Sequence, residues 1–192
     1  MITNTDRSGA FGGSDASMVI AKNRNTKTWK SWWSVKMGDM EPEFKGSSYT
    51  DAGNKYEHPI LRSINEKMRL DRQIFVEKLL LRVNYDGDLN GTIYEVKTHK
   101  SEKDFEISRP YWRQAQVEMF AYQEKFNDFK RLYIVSYPLF PDEYYKDWDE
   151  VEVDFSRIKF HEIKYDKHFI KDEYLPCLKE LSRALKKGRW PG

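Results

Sequence analysis

The sequence predicts a mixed α/β domain with a central sheet flanked by helices, and three observations carry that expectation. Residues 90–91 are Asn-Gly, which favours a two-residue type I′ turn because both central positions need positive φ; residues 85–98 therefore read as a β-hairpin. Residues 50–66 carry Tyr56, Ile60, Leu61 and Ile64 at helical spacing. Residues 131–137, R-L-Y-I-V-S-Y, read as a buried strand. Helices come first, then consecutive strands, then a helix and the last strands, which is a mixed α/β layout. With no internal repeat or low-complexity linker across 192 residues, one domain spanning 1–192 is expected.

In chain order, residues 9–13 are small, and Ser14 before Asp15 reads as the N-cap of a short helix to Lys22. A helix start reached through glycines offers backbone N–H groups at a favourable dipole end, so Arg7, Ser14 and these amides form either a phosphate pocket or an ordinary capped helix. Residues 23–27 are a basic loop, and 28–37 place Trp29, Trp32, Trp33 and Lys36 at helical spacing, a face expected in the core. Residues 37–48 lack periodicity and read as a loop. The 50–66 helix sets Glu57 beside its buried stripe. Residues 73–85 suit two strands or one bent strand leading into the hairpin, whose second strand is 92–98. After a charged loop, Ser108 and Pro110 mark the start of a helix over 109–126, since Pro is tolerated in a first turn. That helix carries Gln114, Gln116 and Glu118 among Trp112, Phe120 and Tyr122, and an inward polar residue there needs a partner. A Pro-, Asp- and aromatic-rich loop follows the 131–137 strand, then a short strand pair at 151–153 and 157–165. A charged helix over 166–187, interrupted by Pro176, ends on Gly188 as its C-cap, with Lys186, Lys187 and Arg189 nearby.

Composition narrows the function classes. Hydrophobic residues make up 39% and aromatics 15%, with six Trp and eleven Phe, which argues against disorder. A net charge of +2 on 33% charged residues is no global field for nucleic acid, so a DNA-contacting surface must be local. The single cysteine, Cys177, excludes an internal disulfide and a cysteine-rich zinc or iron-sulfur site, as expected in a reducing interior. The opening residues lack the blocks of a signal peptide, and no apolar run approaches about 18 residues. A soluble cytoplasmic protein with no membrane segment is the expectation.

The hairpin states the chemistry. Its turn fixes the register so that Leu89 faces Thr92, Asp88 faces Ile93 and Asp86 faces Glu95, a cross-strand carboxylate pair with Cβ atoms roughly 5 Å apart. Lys97 follows on the same face because strand side chains alternate. Like charges opposite each other destabilise a sheet unless a cation lies between them. Mg²⁺, held by one or two carboxylates plus waters and substrate phosphate oxygens, removes that penalty. The competing reading is a solvated hairpin face with ordinary surface charges. Asp88, two residues on, stands as the alternative ligand to Asp86.

Helical Glu57, D-G at Asp86, E-V-K at Glu95 to Lys97 and A-Q-V-E at Ala115 to Glu118 occur in an order that resembles the restriction endonuclease-like (PD-D/E-x-K) superfamily. Within it the chain is similar to lambda exonuclease and the YqaJ-like viral recombinase nucleases. Arg7, Ser14, V-I-A-K at Val19 to Lys22, a basic loop ending at Trp29, and G-N-K-Y-E at Gly53 to Glu57 sharpen the likeness, which covers most of the chain. The resemblance implies that Asp86, Glu95 and the Val96 carbonyl hold Mg²⁺, with Mn²⁺ as substitute. It implies that Lys97 orients or activates water beside Gln116, that Glu57 is an accessory acid, and that Arg7 and Ser14 meet a 5′-phosphate. It further implies a 5′-to-3′ exonuclease acting on double-stranded DNA ends in phage-type recombination, as a ring-like homo-oligomer, a trimer, working with a single-strand annealing protein. The alternatives are an endonuclease or single-strand-specific nuclease of the same fold, or a non-catalytic DNA-binding module built on it. A further family acid before the D-G motif has no evident counterpart, which bears on a second metal.

Overall fold

The computed structural model describes residues 7–41, 48–147, 149 and 151–191, with Ser48 and Tyr49 described by backbone alone. Its helices are α1 (Ala16–Val19), α2 (Lys27–Met37), α3 (Ser48–Ile64), α4 (Arg109–Lys125) and α5 (Leu175–Lys186). Its strands are β1 (Arg69–Val76), β2 (Leu81–Leu89), β3 (Thr92–Lys100), β4 (Arg131–Leu139) and β5 (Lys159–Ile163). They form one sheet in the order β1-β2-β3-β4-β5. Every neighbouring pair is antiparallel except β3 and β4, which are parallel. Parallel neighbours need a crossover, and α4 supplies it.

The sheet is covered on both faces. On one, Trp29, Trp33, Val117, Leu178 and Leu181 pack against Val83, Ile93 and Leu132. On the other, Tyr56, Ile60 and Leu61 of α3 pack against Val96, Val135 and Tyr137. The large aromatics dominate these cores, since each buries on the order of 150–250 Å². The tryptophans of α2 divide as their spacing requires: Trp29 and Trp33 are buried and stack with ring centroids 5.6 Å apart, while Trp32 is half-buried.

Local chemistry sets the element ends. Thr26 caps α2 by accepting the Trp29 N–H, and Ser108 caps α4 by accepting the Tyr111 N–H. Asn90 (φ 50°) and Gly91 (φ 81°) make the type I′ turn. Gly91 has a second constraint: a Cβ there would lie 2.0 Å from the Asp128 carbonyl oxygen. The final helix begins at residue 167 and passes through a π-helical turn, Phe169–Tyr174, immediately before Pro176. Pro176 has no N–H to give, and the wider turn accommodates it without breaking the helix. At the C-terminus Gly188 N–H bonds Leu185 O and Arg189 N–H bonds Ala184 O, the paired bonds of a Schellman cap.

Several expectations need correction. Residues 73–85 are two strands, β1 starting earlier at Arg69 and β2 following a 3₁₀ turn, Glu77–Leu79. The short strand pair is a single strand: β5 pairs with β4, while residues 151–154 form no ladder. Val151 and Val153 instead pack against the α3-side core, and the Asp154 N–H is satisfied by the Tyr137 hydroxyl. Ser14 is not an N-cap. It sits inside a 3₁₀ turn, Gly13–Asp15, capped at Gly12, whose N–H goes to Asp15 Oδ2 at 2.7 Å. Of the loop expected over 37–48, residues 42–47 lie outside the described residues.

Candidate active site

The hairpin pairs as the turn dictates through Leu89↔Thr92, Asp88↔Ile93 and Gly87↔Tyr94, and the ladder stops there. Asp86 and Glu95 are not joined through their backbones. Asp86 Oδ2 instead accepts the Val96 N–H at 2.7 Å. On the other side of β2, the ladder to β1 skips the level of Asp71 and Asp86, and Asp71 has φ 51°. The sheet is thus irregular on both sides of Asp86, in the manner of a β-bulge.

The irregularity changes which face each neighbour occupies. Tyr85 packs on Tyr122 of α4, whereas Gly87 lies under Leu61 and Met68 on the α3 side. In a regular strand those two would share a face. Asp88 is carried away from Asp86 by the same shift, which corrects the expectation that the two share a face. Asp88 is 0% exposed, bonded to Arg69 and paired with Arg72 Nε at 3.6 Å. Two arginines already neutralise it, so it is a buried structural ion pair.

Asp86, Glu95, Lys97 and Glu57 form one electrostatic cluster. Lys97 Nζ lies 2.7 Å from Glu95 Oε1. Burial pushes the Asp86 carboxyl well above its ordinary range, with the charges of Glu95 and Glu57 adding to the effect. Glu57, reaching in from α3, is pushed up to about 7 by burial and by the Glu95 and Asp71 charges. For Lys97 burial acts downward, but Glu95 and Asp86 outweigh it and raise the pKa, so it stays protonated. Val96 lies between Glu95 and Lys97 with its side chain in the α3-side core.

Helix α4 closes the cluster with a residue that differs from the expected one. Gln116 is turned away: its Nε2 donates to Lys164 O at 2.9 Å and its Oε1 accepts the Asp166 N–H at 2.7 Å. It fastens the segment before the last helix and lies outside the site. Two residues earlier, roughly half a helical turn away, Gln114 Nε2 donates to Glu95 Oε1 at 2.6 Å and to Glu118 Oε1 at 2.8 Å. Glu118 is fully buried, and burial and the Glu95 charge raise its pKa well above the ordinary range. Neither Gln114 nor Glu118 was singled out by spacing. The alternation of polar residues at 114, 116 and 118 does not say which two face the sheet.

Arg7 and Ser14 do line one pocket, of about 200 Å³, together with Lys36, Arg82 and Gln114. Gln114 therefore borders both this pocket and the carboxylate cluster. The pocket is built around Asp15, whose Oδ2 takes Lys36 Nζ at 2.6 Å besides the Gly12 N–H. Gly13 packs against α4, and a Cβ there would lie 3.4 Å from Glu118 Oε1. Lys36 and Arg82 are cations that sequence order did not connect with Ser14. Their proximity follows from α2 and β2 meeting at the Phe11↔Leu81 bridge.

The donor set fits a hard divalent cation. Glu95 Oε2 is buried and makes no hydrogen bond, Asp86 is buried beside it, and one lysine faces four acids, counting Glu118. Oxygen donors with a spare buried lone pair are what Mg²⁺ or Mn²⁺ requires. A neighbouring group, Glu57, His58 and Asp71, offers three ligand atoms within 4.8 Å of one another, with His58 Nε2 3.0 Å from Asp71 Oδ2. Asp71 and His58 were not anticipated, because only the irregular β1 backbone turns Asp71 toward α3.

Fold and cluster together define a class: a restriction endonuclease-like α/β fold with an acid–acid–lysine centre on the sheet. No protein-family model matches the chain, and no curated protein does. Solved structures do. The chain is similar to an alkaline exonuclease from Laribacter hongkongensis, with a TM-score of 0.61 at 16% identity over 93% of this chain and 91% of that one. A structure of the same exonuclease in complex with dAMP aligns with a TM-score of 0.63 at 16% identity, covering 93% and 89%. A phage-related exonuclease from Haemophilus somnus aligns with a TM-score of 0.62 at 15% identity, covering 93% and 92%. At these identities the likeness is one of fold. Among the described residues no helix is long and apolar enough to cross a membrane.

Proposed function

We propose that the chain is a divalent-metal-dependent deoxyribonuclease of the lambda exonuclease type, removing nucleotides from 5′-phosphorylated ends of duplex DNA. The observation that carries this reading is Gln114, which joins the Asp86–Glu95–Lys97 cluster to the cationic pocket lined by Arg7, Ser14, Lys36 and Arg82. A cluster alone supports any nuclease of this fold. An anion pocket bordering it supports one that measures its cut from an end. The likeness to exonuclease structures agrees with that choice.

In this reading Asp86, Glu95 and the Val96 carbonyl hold Mg²⁺, with Mn²⁺ able to replace it, and Glu57 stands ready as an accessory acid. The cation supplies charge neutralisation and water activation. Lys97, kept cationic by Glu95 and Asp86, sits where negative charge develops on the phosphoryl oxygens and orients the attacking water. Gln114 holds Glu95 in place from α4, the role expected of Gln116 before the helix was seen. Arg7, Lys36 and Arg82 hold the terminal phosphate, with Ser14 as a hydroxyl donor.

The biological setting follows from the same reading: resection of DNA ends in phage-type recombination, as a ring-like homotrimer handing single strands to an annealing protein in the cytoplasm. The test is digestion of linear duplex with and without a 5′-phosphate, and of closed circles, with Mg²⁺ added or chelated. Faster loss of phosphorylated linear DNA and protection of circles are expected. Equal cutting of circles points to the endonuclease alternative, and no cutting under any condition to a DNA-binding module.

A further inference from the structure

A second cavity, of about 430 Å³, adjoins the anion pocket and shares Arg7, Asp15 and Lys36 with it. Its remaining wall differs in character: Lys27, Ser31, Trp32, Val35 and Met40, all on α2 or just beyond it. The first lobe is walled mainly by cations and polar groups. The second presents an indole and two aliphatic side chains.

Trp32 is the only one of the three α2 tryptophans that is not buried. It packs on Trp29 at 5.5 Å and on Phe11 at 5.9 Å between centroids, and its remaining surface lines the cavity. Its indole is also fixed, because Nε1 donates to Asp15 Oδ1 at 2.8 Å. The other oxygen of that carboxylate holds Lys36 and the Gly12 N–H. One buried carboxylate therefore sets the position of a pocket cation, the pocket backbone and the aromatic wall of the cavity next door. A half-buried indole bolted to the frame of an anion site is poorly explained as packing, since Trp29 and Trp33 already fill the core.

We propose that this cavity is a nucleobase subsite. It takes the base of the 5′-terminal nucleotide, stacked against Trp32, while the phosphate of that nucleotide lies in the adjoining pocket. The inference rests on the end-dependent reading above and adds what the end must carry: a base as well as a phosphate. Stacking on an aromatic side chain tolerates all four bases because each has a π-face. The nucleotide must leave its partner strand to reach the site, so terminal pairs that open easily are favoured.

The test is binding of duplexes that carry a 5′-phosphate and either a natural terminal nucleotide or an abasic one, followed by fluorescence anisotropy with Mg²⁺ chelated to prevent cutting. The wild-type chain is expected to bind the natural end about 5- to 150-fold more tightly, the range that base–aromatic stacking spans. In Trp32→Ala that ratio should fall to near one with the preference for a 5′-phosphate retained, while Trp32→Phe should keep most of it. Equal affinity of the wild-type chain for both ends overturns the proposal, as does an undiminished ratio in folded Trp32→Ala. The wild-type comparison decides even if Trp32→Ala does not fold. Phosphate preference without base preference removes the subsite alone, whereas absence of any phosphate preference removes the end-dependent reading beneath it.

Discussion

The Asp86 carboxylate accepts the backbone N–H of Val96 at 2.7 Å, where β2 and β3 have stopped pairing through their main chains. This side chain closes the sheet locally while its other oxygen stays with the cluster. Asp86 should therefore behave differently from Asp88, two residues away. Asp86→Asn is expected to abolish cleavage and leave the fold intact. Asp88→Asn should lower stability by about 2–4 kcal/mol, because Arg69 and Arg72 lose their buried counter-charge, with cleavage kept in the folded fraction. Urea melts and a duplex digestion assay on both variants decide it, and loss of cleavage by well-folded Asp88→Asn would contradict the assignment.

Lys97→Ala is expected to reduce cleavage by about 10²–10⁴-fold, the range for a group that assists proton transfer or stabilises developing charge. DNA binding, measured with the metal chelated, should fall by less than about tenfold. Wild-type rates in this variant would remove Lys97 from the mechanism.

The raised carboxyl pKa values give the metal-free protein a pH signature. Glu57 holds its proton up to about 7 in the folded chain, while the unfolded chain releases it near 4.3. The native state therefore binds more protons in that window, and stability falls as pH rises through it. Between pH 5 and 7.5 the loss is expected to be on the order of 1–3 kcal/mol from Glu57, with Asp86 and Glu118 acting in the same direction. Saturating Mg²⁺ or Mn²⁺ at pH 7.5 should recover stability. Thermal melts with and without metal at the two pH values measure both effects; a metal-free protein more stable at pH 7.5 than at pH 5 is the contrary result.

Gln114 and Gln116 should separate in the same way. Gln116→Ala leaves Lys164 O and the Asp166 N–H without their partner, and should cost about 1–3 kcal/mol of stability with little change in the rate of folded enzyme. Gln114→Ala should lower the rate or the metal affinity with a smaller stability cost. Calorimetric Mn²⁺ titration beside a melt distinguishes the two, and a reversed pattern would return Gln116 to the site.

What was legible in the sequence was whatever local rules control. Asn90-Gly91 fixed the turn, and the turn fixed three rungs of register. The helical stripe of Tyr56, Ile60 and Leu61 marked α3, and Ser108 with Pro110 marked the start of α4. What was not legible depends on departures from regularity or on distant elements meeting. Strict alternation puts Asp88 beside Asp86, and only the bulge at Asp86 separates them. Helix α4 carries polar residues at 114, 116 and 118, and its rotation about its own axis is set by packing across the sheet, which spacing does not encode. Lys36 and Arg82 lie far apart in the chain and come together only because α2 and β2 converge on the same pocket.

The contact of Gly91 with Asp128 bears on where this chain tolerates change. Hairpin tips ordinarily accept extra residues or a fused tag, but here Lys130 N–H also bonds Gly91 O at 2.8 Å, so the tip is stitched to the segment entering β4. Any side chain at 91 meets backbone, and Gly91→Ala should cost at least about 2 kcal/mol from the positive φ and the collision together; a denaturant melt measures it. An inserted residue would slide one strand along the other and move Asp86 off the level of Glu95, about 13 Å from the tip at 3.3 Å per residue. The turn is the ruler from which the carboxylates are measured, and variation in this chain belongs elsewhere.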